Sequence, residues 1–308
     1  MPKPPTILFV HRGRAPFYLR CALESARVFS PASRILLACD RPTDLGRWQI
    51  ESVPLDGLTS PAHARFRQLY RHISTVDEQY ERFCFERWFF LATLWDRFGL
   101  DQALYLDSDC LLFTDPTTLF GQVPLPGVSV SGSGSPHCAF LAAHPAPFLE
   151  FLLTKFADDQ FLARARQRQA EARAVGGLAN LTDMTLLELY ARETPRGAIY
   201  DNILPLGHLD HNLNQLWHFK TSWRFRGGRY PIKRVFWELD HGRLLPYFEE
   251  QATGQRVRAL VLHFQSGAKR LIRRFNPLPP RPWPPVAWRR AYYNHILFPP
   301  YGPGAHPR

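Results

Sequence analysis

The chain has 308 residues, 38 Lys and Arg against 27 Asp and Glu, a net charge of +11 and 45% apolar content, which is enough to bury a full core in one large or two small domains. No run of about 18 apolar residues offers a membrane span, and the start Met1-Pro2-Lys3-Pro4-Pro5 lacks the form of a secretory signal. The five cysteines (Cys21, Cys39, Cys84, Cys110, Cys138) are scattered and have no metal-ligand spacing, so they suit a reduced, cytoplasmic protein better than a disulfide framework.

Taken in order, residues 6–10 read as a buried strand that runs into His11-Arg12-Gly13-Arg14, and Pro16 opens a helix carrying Phe17, Leu19, Cys21, Leu23 and Val28. Residues 34–40 form a second apolar strand ending on Asp40, and 48–55 alternate like a third. Strand, helix, strand within about 35 residues predicts a parallel sheet covered on both faces. Ligands bind beyond the carboxyl ends of such strands, where His11, Arg12 and Asp40 stand; singly, each also reads as ordinary loop polarity. Helices are expected over 61–74 and 78–98. The second is apolar around much of its circumference, so it should be buried, and it ends near Gly99. Arg87 lies inside it and needs an anionic partner: either a ligand, or a neighbour such as Glu81 or Glu86.

Residues 103–113, Ala-Leu-Tyr-Leu-Asp-Ser-Asp-Cys-Leu-Leu-Phe, read as one buried strand. Alternation would then aim Asp107 and Asp109 the same way. Two like charges in an apolar run call for a cation between them, and a divalent metal fits carboxylate oxygens best. The alternative is a strand end whose aspartates bond nearby backbone N–H groups.

Further along, 116–120 read as a helical turn, 128–132 and 138–142 as strands, and 147–173 as a helix with a solvated Arg-rich face. Gly176-Gly177 breaks it, and Thr182 or Asp183 caps the next helix. Residues 199–206 and 236–240 look extended, 241–244 are a turn candidate, and 257–264 form another buried strand leading to Gln265-Ser266-Gly267-Ala268-Lys269. Residues 277–285 are Pro-rich and extended. From Gln251 to Arg308 there are ten Lys or Arg and no Asp or Glu, an asymmetry that points to phosphate, a membrane surface or a polyanion, or else to a solubilising tail. Arg281, Arg289 and Arg290, interleaved with Trp283, Trp288, Tyr292, Tyr293 and Phe298, suit peripheral association at the inner face of a membrane, or packing back onto the protein.

Three pieces resemble a glycosyltransferase of the nucleotide-sugar-binding GT-A fold, and family eight within it. Tyr105-Leu106-Asp107-Ser108-Asp109 matches that fold's Asp-x-Asp signature. Phe85-Glu86-Arg87-Trp88 resembles the helix whose arginine meets the donor. His263 through Lys269 is similar to the family's C-terminal His-x-x-Gly-x-x-Lys, with one extra residue before Gly267 and no Pro-Trp after the lysine. His11-Arg12 stands where the family usually keeps an acid.

The resemblance implies an α/β, GT-A-like (Rossmann-like), mostly parallel central sheet with flanking helices over residues 1–275, followed by a basic extension over 276–308. It implies Mn²⁺ or Mg²⁺ held by Asp107, Asp109 and His263. The donor would be met by Lys269, Gly267, Ser108 and Arg87, together with His11, Arg12 and Asp40. Asp183 stands where similar families keep a donor-sugar or catalytic acid, with a plain helix cap as the alternative. The donor would be a nucleoside diphosphate sugar, UDP-linked by resemblance alone, the acceptor a glycan or a lipid-linked sugar, and the resemblance favours retention at the anomeric carbon. Lewis-acid stabilisation of a diphosphate leaving group suits the same residues. Two competing readings are a haloacid-dehalogenase-type phosphatase, in which the first Asp is the nucleophile, and a non-catalytic polyanion binder. The phosphatase leaves His263 and Lys269 without a role. The binder has no use for paired carboxylates, and no nucleic-acid motif is present.

Overall fold

A computed structural model describes residues 3–41, 45–122, 125–222, 231–240 and 242–276; the basic extension beyond Asn276 lies outside them, as does His241 of the expected 241–244 turn. The chain divides into two compact units that interleave in sequence. One takes residues 1–15, 32–108 and 116–201, the other 16–31, 109–115 and 202–308.

In the first unit the described strands form a seven-stranded sheet in the order Ile50–Pro54, Ile35–Cys39, Thr6–His11, Ala103–Leu106, Ser135–Leu141, Val128–Ser131, Gly197–Tyr200. The first four are mutually parallel, Ser135–Leu141 is antiparallel to both its neighbours, and Val128–Ser131 pairs parallel with Gly197–Tyr200. The sheet is therefore mixed but mostly parallel, as expected from the apolar strands. Ile35–Cys39 and Ala103–Leu106 are buried at every position, the pattern of strands covered on both faces.

The helix Glu78–Phe98 has the predicted limits. Asp77 caps its start by accepting from the Tyr80 N–H, and Gly99 ends it in the left-handed region at φ 56°. Phe85, Trp88 and Phe89 are fully buried, each worth about 2–3 kcal/mol of transfer free energy. Phe66 stacks on Phe89 at 5.1 Å, and Phe148 meets Trp88 edge-on at 5.0 Å. Truncating Phe89 to Ala would cost about 3–5 kcal/mol.

Three expected elements differ. The helix expected over 61–74 stops at Leu69. The helix expected over 147–173 is two, Ala146–Ala157 and Asp159–Ala174, because Asp158 takes an extended conformation and caps the second by accepting from the Gln160 and Phe161 N–H groups. The strand expected over 103–113 is also two. Ala103–Leu106 ends in the first unit's sheet, and Cys110–Leu112 pairs antiparallel with Arg256–His263 in the second unit. Asp107 and Asp109 are thus not on one strand, and strand alternation does not set their directions.

In the second unit, described strands run in the order Phe236–Asp240, Arg243–Glu249, Arg256–His263, Gly207–Leu209, Ile203–Leu204, with Cys110–Leu112 also on Arg256–His263. The register sets Cys110 opposite His263. A two-stranded pair joins Thr221–Ser222 to Ile232–Lys233. The helix Phe17–Phe29 belongs to this unit, and its Ser25 hydroxyl accepts the Leu112 N–H at 3.1 Å. Phe29, Phe113, Trp237, Phe264 and Phe275 share its apolar core. No helix among the described residues is long and apolar enough to cross a membrane, and no disulfide joins any of the five cysteines.

Candidate active site

In the first unit the buried helix presents Cys84, Arg87 and Trp88 on one face, as a spacing of three and four residues requires. The Arg87 guanidinium donates to Asp183 Oδ2 from Nη2 at 2.6 Å and from Nε at 3.2 Å. It also donates to Asp107 Oδ1 at 2.9 Å and to the Tyr105 hydroxyl at 3.2 Å. Tyr105 in turn donates to Asp107 Oδ1 at 2.6 Å, and the Trp88 indole donates to Asp183 Oδ2 at 3.2 Å. Burial works against a charged guanidinium, but Asp183, Tyr105 and Asp107 outweigh it and keep Arg87 protonated well above its ordinary range. Burial and then Asp107 push the Tyr105 phenol up. Glu81, nearly buried and bonded by the Ser74 hydroxyl, is raised to about 7 by burial and then by Asp183.

Arg87 therefore does not pair with Glu81 or Glu86, its neighbours in sequence; its carboxylates come from residues 20 and 96 positions away. Nor does Asp183 cap its helix. Thr182 does, in a reciprocal box with Thr185, and the Asp183 side chain is committed to Arg87 and Trp88.

Glu86, the next residue on the same helix, gathers cations instead. Arg12 donates at 2.6 Å, Arg67 at 2.7 Å, and His63 lies at 3.4 Å. Burial pushes the Glu86 carboxyl up, but these three partners more than offset it and leave it at about 2. Arg12 also lies 4.4 Å over the Phe83 ring. At the ends of the first two strands, Asp40 Oδ2 accepts the Gly13 N–H at 2.6 Å, and His11 Nε2 lies 3.3 Å from the Arg14 carbonyl. Gly13 has φ +88°, a conformation that favours glycine. Ser108 sits in the turn after Asp107.

In the second unit Asp109, His263 and Lys269 come together. Lys269 Nζ lies 3.1 Å from Asp109 Oδ2 and His263 Nε2 lies 3.5 Å from Asp109 Oδ1. The neighbouring strand pairing continues through Phe264, whose N–H donates to the Asp109 carbonyl at 3.0 Å. His263 Nδ1 bonds the His211 carbonyl. A carbonyl only accepts, so Nδ1 carries a proton, and Nε2 is turned to the Asp109 carboxylate. Nε2 and Oδ1 thus face each other, and both are atoms that can ligate a metal. Cys110 Sγ lies in the same group of ligand atoms, all within 4.8 Å of one another. Oxygen and imidazole nitrogen suit a divalent first-row ion, so the donors present fit the expected metal. Burial opposes ionisation of Asp109, but His263 and Lys269 outweigh it and hold its carboxyl below the usual range.

Lys269 lies in the 3₁₀ turn Ser266–Leu271, 5.0 Å from the Tyr18 ring. The left-handed residue there is Ser266, at φ 54°. Gly267 needs no such freedom, and a Cβ on it would meet open space.

Sequence reasoning passed over Tyr105, Trp88, Asp210 and Lys233. Tyr105 had a signal, since a strand places it on the face of Asp107, two residues on. Asp210 and Lys233 had none, because their pairing joins segments 23 residues apart.

No protein-family model matches the chain and no curated protein matches it. Among solved structures it is similar to mouse xyloside xylosyltransferase 1 in its apo form, at 12% identity over 70% of this chain and 89% of that one, TM-score 0.44. It is similar to the galactosyltransferase LgtC in complex with donor and acceptor sugar analogues, at 13% identity over 90% and 98%, TM-score 0.40. A third similar structure is the glycosyltransferase GlyE of Streptococcus pneumoniae, at 14% identity over 65% and 46%, TM-score 0.35.

Proposed function

We propose that this chain is a metal-dependent glycosyltransferase that moves a sugar from a nucleoside diphosphate sugar, UDP-linked in our reading, to a glycan or lipid-linked acceptor. The observation that carries the reading is the cluster of possible ligand atoms from Asp109, Cys110 and His263, beside the Lys269 ammonium. A divalent ion, Mn²⁺ or Mg²⁺, bound by Asp109 and His263 would supply Lewis-acid stabilisation of a departing diphosphate. Lys269 supplies a point charge to the same phosphates, and the open space at Gly267 admits them.

In the first unit Arg87 and Trp88 fix the Asp183 carboxylate by three bonds to one oxygen. Held in that orientation, Asp183 accepts from a donor-sugar hydroxyl. His11, Arg12, Asp40 and Ser108 complete the donor contacts in this reading. The basic stretch from residue 251 onward serves to bring the enzyme to an anionic membrane surface, where a lipid-linked acceptor resides.

The test is release of nucleoside diphosphate from a panel of UDP- and GDP-sugars with Mn²⁺. Turnover of at least one donor, abolished by EDTA and by Asp109→Asn in a folded protein, is the expected result. Metal-independent turnover, or phosphate release from a simple phosphomonoester in its place, would overturn the reading. Lys269→Ala should raise KM for the donor and lower kcat, because the diphosphate is present in both ground and transition states. Flotation with anionic vesicles at low salt, lost at high salt, tests the membrane association.

A further inference from the structure

The segment 210–213 encloses His263 on three sides. The Asp210 carboxylate accepts the His263 N–H through Oδ2 at 3.2 Å. The Leu213 N–H donates to the His263 carbonyl at 3.0 Å. The His211 carbonyl accepts from ring Nδ1. Every polar group on His263 except Nε2 is thus assigned to four consecutive residues.

That segment is in turn tied to one side chain. Lys233 is fully buried. Its ammonium donates to Asp210 Oδ1 and, at 3.1 Å, to the Asn212 carbonyl, while its own N–H donates to the Leu213 carbonyl at 2.9 Å. Three rings surround the ammonium: Trp217 at 4.6 Å, Phe248 at 5.3 Å and Phe219 at 5.9 Å. Rings and carboxylate together stabilise a charge that burial alone would expel. Asp210 is divided between the two partners, one oxygen on Lys233 and the other on His263, so the ammonium sets the rotation of the carboxylate that anchors the histidine.

We infer that Lys233 and Asp210 are positioning residues that lock the His263 ring with Nδ1 protonated and Nε2 directed at Asp109. The metal consequence rests on the function proposed above; the state of the ring does not. A buried ion pair is a poor source of net stability, and its replacement by uncharged residues of similar volume is often neutral. The pair can therefore be removed together without stranding a charge.

The experiment uses the full chain and the double substitution Asp210→Asn with Lys233→Met. Mn²⁺ is titrated by electron paramagnetic resonance, and the His263 tautomer is read from ring ¹⁵N shifts. The expected result is a thermal midpoint near the parent's, an Mn²⁺ dissociation constant raised about 10-fold or more, and loss of the single Nδ1–H tautomer that the parent shows. A folded double variant with the parent's tautomer and Mn²⁺ affinity would overturn the lock. So would a parent ring protonated on Nε2, a measurement that needs no variant. If the parent binds no Mn²⁺, the cation reading fails by itself, and the tautomer comparison decides the lock either way.

Discussion

Glu86 and Arg87 are consecutive residues on one buried helix, yet they organise opposite surroundings. Glu86 is a single carboxylate amid Arg12, Arg67, His63 and, at 3.8 Å, Arg82. Arg87 is a single guanidinium between Asp183 and Asp107. The difference lies in the partners' access to water. The side chains of Arg12, Arg67 and Arg82 are 34%, 49% and 37% exposed, so their excess positive charge is solvated. Asp183 is 3% exposed and has no such recourse. A carboxylate ringed by wet cations holds structure at little risk. A buried guanidinium shared by two acids cannot be removed cheaply, and the charge it leaves uncompensated is negative.

The largest break in this comparison is Arg87→Met, which leaves Asp183 buried and unpaired. Chemical denaturation should show a loss of about 3–5 kcal/mol; a loss under about 1 kcal/mol would mean that the acids find water or protons readily. Glu86→Gln, by contrast, keeps hydrogen-bond acceptance toward half-exposed arginines and should cost about 1–3 kcal/mol.

The two sides of the helix also divide by pH. Folded Glu86 titrates at about 2 against a usual 4.5, so the unfolded chain binds more protons between those values. The stability it contributes is present above 4.5 and is lost as pH falls towards 2. Folded Glu81 titrates at about 7 against a usual 4.5, so here the folded chain binds more protons, and its stability falls as pH rises from 4.5 to 7. Comparing denaturation of Glu86→Gln and Glu81→Gln with the parent across pH should flatten the acid limb in the first and the neutral limb in the second. Identical pH profiles would refute the assignment. The smallest effect is expected from Arg82→Ala, whose contact with Glu86 is long and whose side chain is otherwise partly exposed, at about 0.5 kcal/mol or less.

The contrast also marks how far the sequence could be read. The helix limits were legible because Gly99 is a local signal. The parallel strands were legible because unbroken apolar runs mean burial on both faces. Arg87 was recognised as needing an anion, but the candidates offered by proximity, Glu81 and Glu86, were wrong, since sequence distance says nothing about partners 96 positions away. Splitting of the 103–113 run was invisible for another reason. Both halves are apolar and extended, and only pairing with different strands separates them. The break at Asp158 was read through, because two consecutive acids inside a helix-forming stretch are a weak local signal and only the structure shows the first of them capping a new helix. His263 and Lys269 were legible through their resemblance to a family spacing motif; Asp210 and Lys233 belong to no such motif and are joined only by the fold.

The interleaving of the two units bears on how the molecule is made. The helix Phe17–Phe29 leaves the ribosome early, but the strands and core residues of its own unit come from 109–115 and from beyond 202. Glu24 accepts a hydrogen bond from Asn276, 252 residues later. During vectorial synthesis that helix must wait, with Cys21 and Phe29 unburied, until nearly all of the described chain has emerged. Long-range closure of this kind slows folding and exposes apolar surface meanwhile. Transient exposure of that apolar face is thus built into the order of its segments.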